Sequence, residues 1–364
     1  MNVAAIRAAL PVLEHVAYLN TGTFGPLPLP TAEAMAAEQQ GELEGGRSGA
    51  AYWEHARGAR AEAREAVARL IGAAPDHVAL TRSTSEGCNV VVAGLRLGPR
   101  DEIVTTDCEH FGLLGPLAAS GARVRVAAIR DRPAAEALGA VEAELGPRTR
   151  LIAISHVVWT TGQVMPVREL AGRGIPVLVD GAQGAGSWPT DVTELGCDFY
   201  TVSGQKWLLG PDGTGALYVA PGRIEEHAIT FPSYYSQQKH EPDGSFVATE
   251  GAARFDTGTV PVPSLVGLTT SIALAESYGR ERYAWAEGMT DRLRELLAPK
   301  ADVVTEPGQS TLVSFRPPGD AAETITRLAA RGVVVRDLPG LGWIRASVGF
   351  WTSESDVQRL VDGL

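Results

Sequence analysis

Short apolar runs recur along the middle of the chain, at residues 77–82, 102–105, 123–129, 150–155, 176–180, 199–203 and 214–219, and each gap is long enough for a helix. Several are continuous rather than alternating, "IPVLVD" being the plainest, which suits strands buried on both faces of a mostly parallel sheet. The chain before them opens with a turn-rich loop, "YLNTGTFGPLP", followed by helical patterns over 31–43 and 52–71, the second Ala-rich and stopped by Gly72. After about residue 260 the order changes. A long helical stretch over 264–298 leads to strands at 311–316, 332–336 and 343–348 and a final helix from Ser353, a pattern that predicts a smaller α+β domain joined by one long helix. No repeat, low-complexity tail or flexible linker interrupts this α/β scheme.

With 364 residues the chain has room for one large or two smaller folded units at roughly 150 residues each, and 45% hydrophobic with 21% charged residues is an ordinary globular balance. The net charge of −11 repels phosphate backbones and anionic headgroups, so nucleic acid and membrane surfaces are poor partners. A charge-free stretch over 257–275 carries prolines and glycines and does not read as a membrane span, and the first residues lack the uninterrupted apolar core of a signal peptide. A cytoplasmic protein is expected. Three cysteines, Cys88, Cys108 and Cys197, without C-x-x-C spacing, and seven scattered histidines argue against a disulfide framework or a metal site.

In an open α/β sheet ligands bind beyond the carboxyl ends of the strands, which makes the polar residues there the candidates for chemistry. Four such ends stand out: Asp180 with Gln183, Ser203 with Lys206, the segment ending in His110, and Ser83-Thr84-Ser85-Glu86. Ser83 and Glu86 have the spacing of a capping box, and the free amides of that helix start, flanked by hydroxyls, could cradle a phosphate. No Walker A or G-x-G-x-x-G pattern occurs, and the S-x-x-K formed by Ser203 and Lys206 lacks its S-D-N and K-T-G companions. Singly, each candidate is as well read as a cap or a solvated side chain. Together, a lysine at a strand end, a carboxylate able to hold a pyridinium nitrogen, a phosphate cradle and a ring to stack on form the constellation of pyridoxal 5'-phosphate (PLP) sites.

At these residues the chain resembles class V, fold-type I PLP enzymes over nearly its whole length, and within them the cysteine/cystine C-S lyases, relatives of the cysteine desulfurases and the isopenicillin N epimerase-like proteins. The likeness is carried by "YLNTGTFGPLP", "TRSTSEGCN", "TTDCEHFG", "SHVVWTTGQVMP", "IRASVGFWTSESDVQRLV" and above all the block from "VDGAQ" to "SGQKW". The resemblance implies a large domain with a mostly parallel seven-stranded sheet over 21–260, a smaller C-terminal α+β domain with its linking helix over 261–364, and an N-terminal segment, 1–20, packing with the small domain. It implies Lys206 as the Schiff-base lysine, Asp180 as partner of the pyridinium, Gln183 as donor to the ring hydroxyl, His110 stacked on the ring, and Thr84, Ser85 and Ser203 at the phosphate. Thr259 would reach the phosphate of a neighbouring subunit, which implies a homodimer.

Arg345, in "IRAS", matches the arginine that pairs with a substrate carboxylate. If strands 332–336 and 343–348 form a hairpin across "DLPGLG", Arg336 falls on the same face as a diagonal neighbour, and two arginines could grip the two carboxylates of L-cystine. The stretch "VVVRDLPGLGWIRAS" contains no cysteine, unlike the mobile loop of the desulfurases, and Trp159 stands where desulfurases usually carry Asn, as in the cystine lyases. Gln205 replaces a His that commonly precedes the lysine. The reading that follows is a PLP-dependent β-lyase releasing pyruvate, ammonia and a sulfide or persulfide from L-cystine, L-cysteine or a related amino acid; a class V aminotransferase and an epimerase are the rivals. The polar loop 232–246, with Tyr234, Tyr235 and His240, is read either as a cover over the site or as ordinary surface.

Overall fold

The computed structural model describes residues 2–364. Its strands are β1 (Ala17–Tyr18), β2 (Val78–Thr81), β3 (Glu102–Thr106), β4 (Arg123–Ala127), β5 (Thr149–Ser155), β6 (Val177–Asp180), β7 (Phe199–Ser203) and β8 (Gly215–Val219), followed by β9 (Gln237–His240), β10 (Phe246–Ala248), β11 (Asp302–Val303), β12 (Leu312–Arg316), β13 (Val333–Val334), β14 (Arg336–Leu338) and β15 (Trp343–Ser347). The seven apolar runs of the middle region all become strands of one seven-stranded sheet, in the order β2-β8-β7-β6-β5-β3-β4. All its pairings are parallel except those of β8 with β2 and β7. Every residue of β2, β3, β6, β7 and β8 is buried, as continuous apolar runs covered on both faces should be. The edge strand β4 carries an exposed charge, Arg123, which blunts it against pairing with another chain.

Two helices, Leu29–Gly45 and Gly49–Leu70, occupy the regions where the sequence predicts them. The second buries Ala56, Ala59 and Ala63 against Val262 and Leu265, small side chains permitting the close approach. The single helix expected over 264–298 is instead two, Val262–Glu276 and Glu281–Leu297. Gly279 takes a φ of +56 between them, a left-handed conformation that ends the first helix and that glycine adopts without strain.

The C-terminal region builds a four-stranded antiparallel sheet, β11-β12-β15-β14. The strand expected over 332–336 divides in two: Val333 and Val334 pair in parallel with Ala17 and Tyr18 of β1, while Arg336 begins the hairpin strand β14. The N-terminal segment is thereby tied to this region, and Arg7 adds an ion pair to Asp356 at 2.6 Å. Ser353 caps the last helix, Glu354–Asp362, through a full capping box with Asp356. The loop 232–246 contains most of the small hairpin of β9 and β10; within it Tyr235 lies under the Arg60 guanidinium at 3.8 Å, and Tyr234 is exposed. No helix among the described residues is long and apolar enough to cross a membrane.

A buried carboxylate joins the helix Gly49–Leu70 to the strand edge beside the helix start at Thr84. Asp256, 1% exposed, accepts from Arg60 at 2.7 Å, Arg64 at 2.9 Å and the Leu80 backbone amide at 2.7 Å. Removing one member of such a cluster leaves uncompensated buried charge, so Asp256→Ala is expected to destabilise the protein by about 3–5 kcal/mol. Urea unfolding of the variant checks this; a change below about 1 kcal/mol would mean the cluster is solvated in solution.

Candidate active site

The parallel strands aim their carboxyl ends at one edge of the sheet, and the segments that leave them supply the candidate residues. Leaving β3 come Glu109 and His110; leaving β5, Trp159; at the end of β6, Asp180 with Gln183 beyond; after β7, Lys206. His110, Trp159, Asp180, Gln183 and Lys206 line one small cavity together with Ser155. The structure thus brings together five residues from four segments that stand apart in the sequence.

Burial and the neighbouring arginines pull Lys206 down from the usual lysine value to about 8, while Asp180 holds it up. An amine so poised has a reachable neutral form, which attack on a carbonyl requires. Asp180 is buried and its carboxyl is pushed up by that burial, with Lys206 and a 2.9 Å hydrogen bond from the Ala182 amide opposing the rise. His110 is lowered to about 4 by burial and by Lys206, Arg336 and Arg345. Its Nδ1 accepts from the Gly112 amide at 3.1 Å, so the imidazole is neutral near pH 7 with its proton on Nε2, and its ring meets Trp159 edge-on at 5.2 Å.

The two arginines face the same place from the C-terminal sheet. Arg336 and Arg345 are directly paired across β14 and β15, not diagonal as the hairpin argument supposes, because β14 begins at Arg336 and the Leu338–Trp343 pair closes the register. Direct partners have Cβ atoms about 4.5–5.5 Å apart, which sets two like charges side by side. Arg345 is fully buried and is lowered to about 9 by that burial and by Arg336, so it stays charged at neutral pH. Its contacts are neutral: the Trp159 carbonyl at 3.0 Å and the Thr23 hydroxyl at 3.5 Å, with Nε left without a partner among the described residues. Arg336 bonds Thr23 at 3.1 Å and lies 5.6 Å from the Trp159 ring centroid. Two cations held by neutral groups, with buried N–H left over, form a receptor for an anion.

The Ser83 cap is half a capping box. Ser83 Oγ accepts from the Glu86 amide at 3.1 Å, but the Glu86 carboxylate accepts instead from the Arg82 amide at 2.6 Å and the Thr257 hydroxyl at 2.7 Å. Thr84 and Ser85 start the helix Thr84–Gly94 as expected. Ser85 stands beside the His110 segment, since a Cβ on Gly112 would lie 2.4 Å from its hydroxyl. Ser203 donates to Gln205 at 2.7 Å, and Thr259 is exposed and does not line the cavity.

Two residues of the site, Gly22 and Glu109, escape the sequence reading. Gly22 lets the N-terminal loop reach the site: a Cβ there would lie 2.7 Å from an Arg345 nitrogen and 3.0 Å from Gln183. Gln183 in turn donates to the Gly22 carbonyl at 2.8 Å and accepts from Trp207 at 2.9 Å, leaving one amide hydrogen for a ligand. Glu109 is buried among neutral donors, Thr106 at 2.7 Å and the Ser155 amide at 2.9 Å, and burial pushes it up to about 7. The crowding of small and hydroxyl residues in "NTGTFG" was the available signal for the first; Glu109 had none beyond its place next to His110.

The residues fit PLP: a desolvated lysine for its aldehyde, a buried carboxylate for its ring nitrogen, a neutral imidazole, and a hydroxyl-flanked helix start. Comparison with known proteins agrees. Isopenicillin N epimerase of Streptomyces clavuligerus is 34% identical over 386 residues, spanning 96% of this chain and 94% of that protein. A probable cysteine desulfurase of Methanothermobacter thermautotrophicus (strain Delta H) is 29% identical, spanning 100% and 98%. The cystine C-S lyase C-DES, solved in complex with its reaction product cysteine persulfide, superposes with a TM-score of 0.91 at 30% identity, over 97% of this chain and 98% of that one. A lysine-to-alanine mutant of C-DES with glycine covalently linked to its PLP cofactor gives 0.92, also at 30% identity, over 98% of each chain. With residues 18–360 matching the family description "Aminotransferase class-V", the chain belongs to the class V aminotransferase family of PLP-dependent enzymes.

Proposed function

We propose that this chain is a PLP-dependent C-S β-lyase that cleaves L-cystine, L-cysteine or a related sulfur amino acid to pyruvate, ammonia and a sulfide or persulfide. The observation that carries the reading is the direct pairing of Arg336 with Arg345 against the Lys206 cavity, a double cation with no carboxylate of its own. When bound, PLP supplies a ring that takes up the charge left when the Cα proton is removed.

In this reading Lys206 holds the cofactor and then serves as the base at Cα, a task suited to an amine near neutrality. Asp180 holds the ring nitrogen, Gln183 offers its remaining amide hydrogen to the ring hydroxyl, His110 stacks, and Thr84, Ser85 and Ser203 hold the phosphate. Arg345 fixes the α-carboxylate, with Arg336 beside it and Trp159 forming the wall. Transfer of sulfur through an enzyme persulfide is disfavoured: the three cysteines are free but buried, and burial pushes Cys108 and Cys197 up to about 12, far from a thiolate. The likeness to C-DES, with its cysteine persulfide product, favours elimination; the likeness to the epimerase keeps reprotonation at Cα as the second reading.

The same reading divides the chain into a cofactor-binding domain over 21–260 and a small domain over 261–364 joined by 1–20, supported by the pairing of β1 with β13. It makes the enzyme a homodimer in which Thr259 reaches the partner's phosphate. Thr259 is exposed here, as are the apolar Phe24, Trp53, Phe111 and Tyr234. The buried free cysteines and acidic balance support a cytoplasmic setting.

Three outcomes are expected. PLP-loaded protein given L-cystine without a keto acid should release many equivalents of pyruvate and sulfane sulfur per site; no pyruvate would turn the assignment to an aminotransferase or epimerase. Lys206→Ala should fold, lose the long-wavelength absorbance that wild type gains on titration with PLP, and lose turnover; full activity would sink the mechanism. Arg345→Lys should lower kcat/KM by about 100-fold, since an ammonium cannot replace the bidentate fork, and an unchanged value would remove Arg345 from the substrate.

A further inference from the structure

One buried carboxylate at the sheet edge takes no part in holding cofactor or substrate. Glu109, 5% exposed, stands between Cys108 and His110 on the segment that leaves β3. Its Oε1 accepts from the Thr106 hydroxyl at 2.7 Å, and its Oε2 accepts from the Ser155 amide at 2.9 Å and from the Ser155 hydroxyl. Three neutral donors hold it.

Ser155 is the last residue of β5, the register partner of Asp180 at the end of β6, and a wall of the Lys206 cavity. The two carboxylates therefore flank one serine, Glu109 bonded to it and Asp180 in register with it. With neighbouring strands about 4.8 Å apart, they interact in a region closed to water. Asp180 adds to the effect of burial in pushing the Glu109 carboxyl up to about 7. With the Ser155 hydroxyl spent on Glu109, the Ala182 amide makes the one hydrogen bond to the Asp180 carboxylate among the described residues, so the second Asp180 oxygen is available to the ring nitrogen.

The other titratable groups around the pair are neutral near pH 7 or paired. Cys88, on the helix Thr84–Gly94, is raised well above the ordinary thiol value by burial and by both carboxylates. Cys108 is pushed up to about 12 and His110 down to about 4, while Tyr200, which feels Asp180 from β7, is raised by burial. Asp107 and Arg130 share with Glu109 the walls of a neighbouring cavity of about 300 Å³ and are hydrogen-bonded to each other. Lys206 acts on Asp180 directly.

We propose that Glu109 is a positioning residue for the reaction, whose ionisation sets, through Asp180, how firmly the cofactor's ring nitrogen keeps its proton. The inference rests on the PLP-dependent reading of Lys206 and Asp180, and it holds whether loss of the Cα proton leads to elimination or to epimerisation. A charged Glu109 adds negative potential beside Asp180 and favours a proton on the pair formed by Asp180 and the nitrogen; a protonated Glu109 withdraws that support. The ring proton is thus held more tightly above the Glu109 transition than below it, and removal of the Cα proton, which the protonated ring assists, is faster there.

Glu109→Gln keeps the shape of the side chain and removes its charge. Wild type and variant, loaded with PLP carrying nitrogen-15 at the ring, are compared by nitrogen NMR between about pH 6 and 9. The variant should give up its ring proton at a pH lower by about half a unit or more, about a threefold change in the proton equilibrium, and should lose about threefold or more in kcat on L-cystine near about pH 8 with KM within about twofold. Near about pH 6 the two proteins should converge, because wild-type Glu109 is then mostly protonated as well. Identical titrations, or a shift to higher pH, overturn the proposal; a residue that only supported the fold would alter stability or PLP affinity without moving the titration. Should Glu109→Gln fail to fold, Ser155→Ala is read in its place: it strips a donor from the carboxylate, raises its proton affinity and should move the ring titration in the same direction, and no shift there overturns the proposal. The lyase reading fails separately, by the absence of pyruvate from wild type, since the nitrogen titration is read without turnover.

Discussion

Three cationic groups, Lys206, Arg336 and Arg345, converge at the carboxyl edge of the sheet, where Asp180 is the carboxylate that answers Lys206 and neutral groups alone answer the arginines. Such an arrangement is unfavourable by itself: burial and mutual repulsion lower both Lys206 and Arg345. It persists because the surrounding packing over-determines it. Arg345 sits in the middle of a strand paired on both sides, and Lys206 follows a fully buried strand whose loop is pressed by the N-terminal segment, Gly25 donating to the Gln205 carbonyl at 2.7 Å. An anion bound beside these groups would relieve the crowding of like charge.

The electrostatics also sort the other titratable groups. His110 beside the cations is driven neutral, fit for stacking rather than charge. Glu109, buried and close enough to Asp180 to feel its charge, is pushed up to about 7, so it carries a proton part of the time near neutral pH. The cysteines, with no cation strong enough to offset burial, remain thiols. Chemistry is thereby concentrated on one amine.

Trp159 serves the site through both its backbone and its ring. Its backbone carbonyl accepts from Arg345, its ring lies 5.6 Å from the Arg336 guanidinium, and it borders both the Lys206 cavity and a neighbouring one of about 300 Å³.

Much of this was legible in the residues. Short apolar runs marked all seven strands of the large sheet, and the plainest continuous one, "IPVLVD", belongs to a strand covered on both faces. The block around Asp180, Gln183 and Lys206 declared its chemistry, since strand ends are where such side chains can converge. What only the tertiary structure decided was register and proximity. The hairpin period placed Arg336 and Arg345 on one face, but the direct pairing depended on where β14 begins, which the competing pull of β1 on Val333 and Val334 determined. The break at Gly279, the turning of Glu86 away from its box toward Arg82 and Thr257, and the approach of Gly22 to Arg345 arise from contacts between segments distant in sequence. Local pattern carries the period of an element and the residue types at its ends; which neighbour competes for those ends is a property of the folded chain alone.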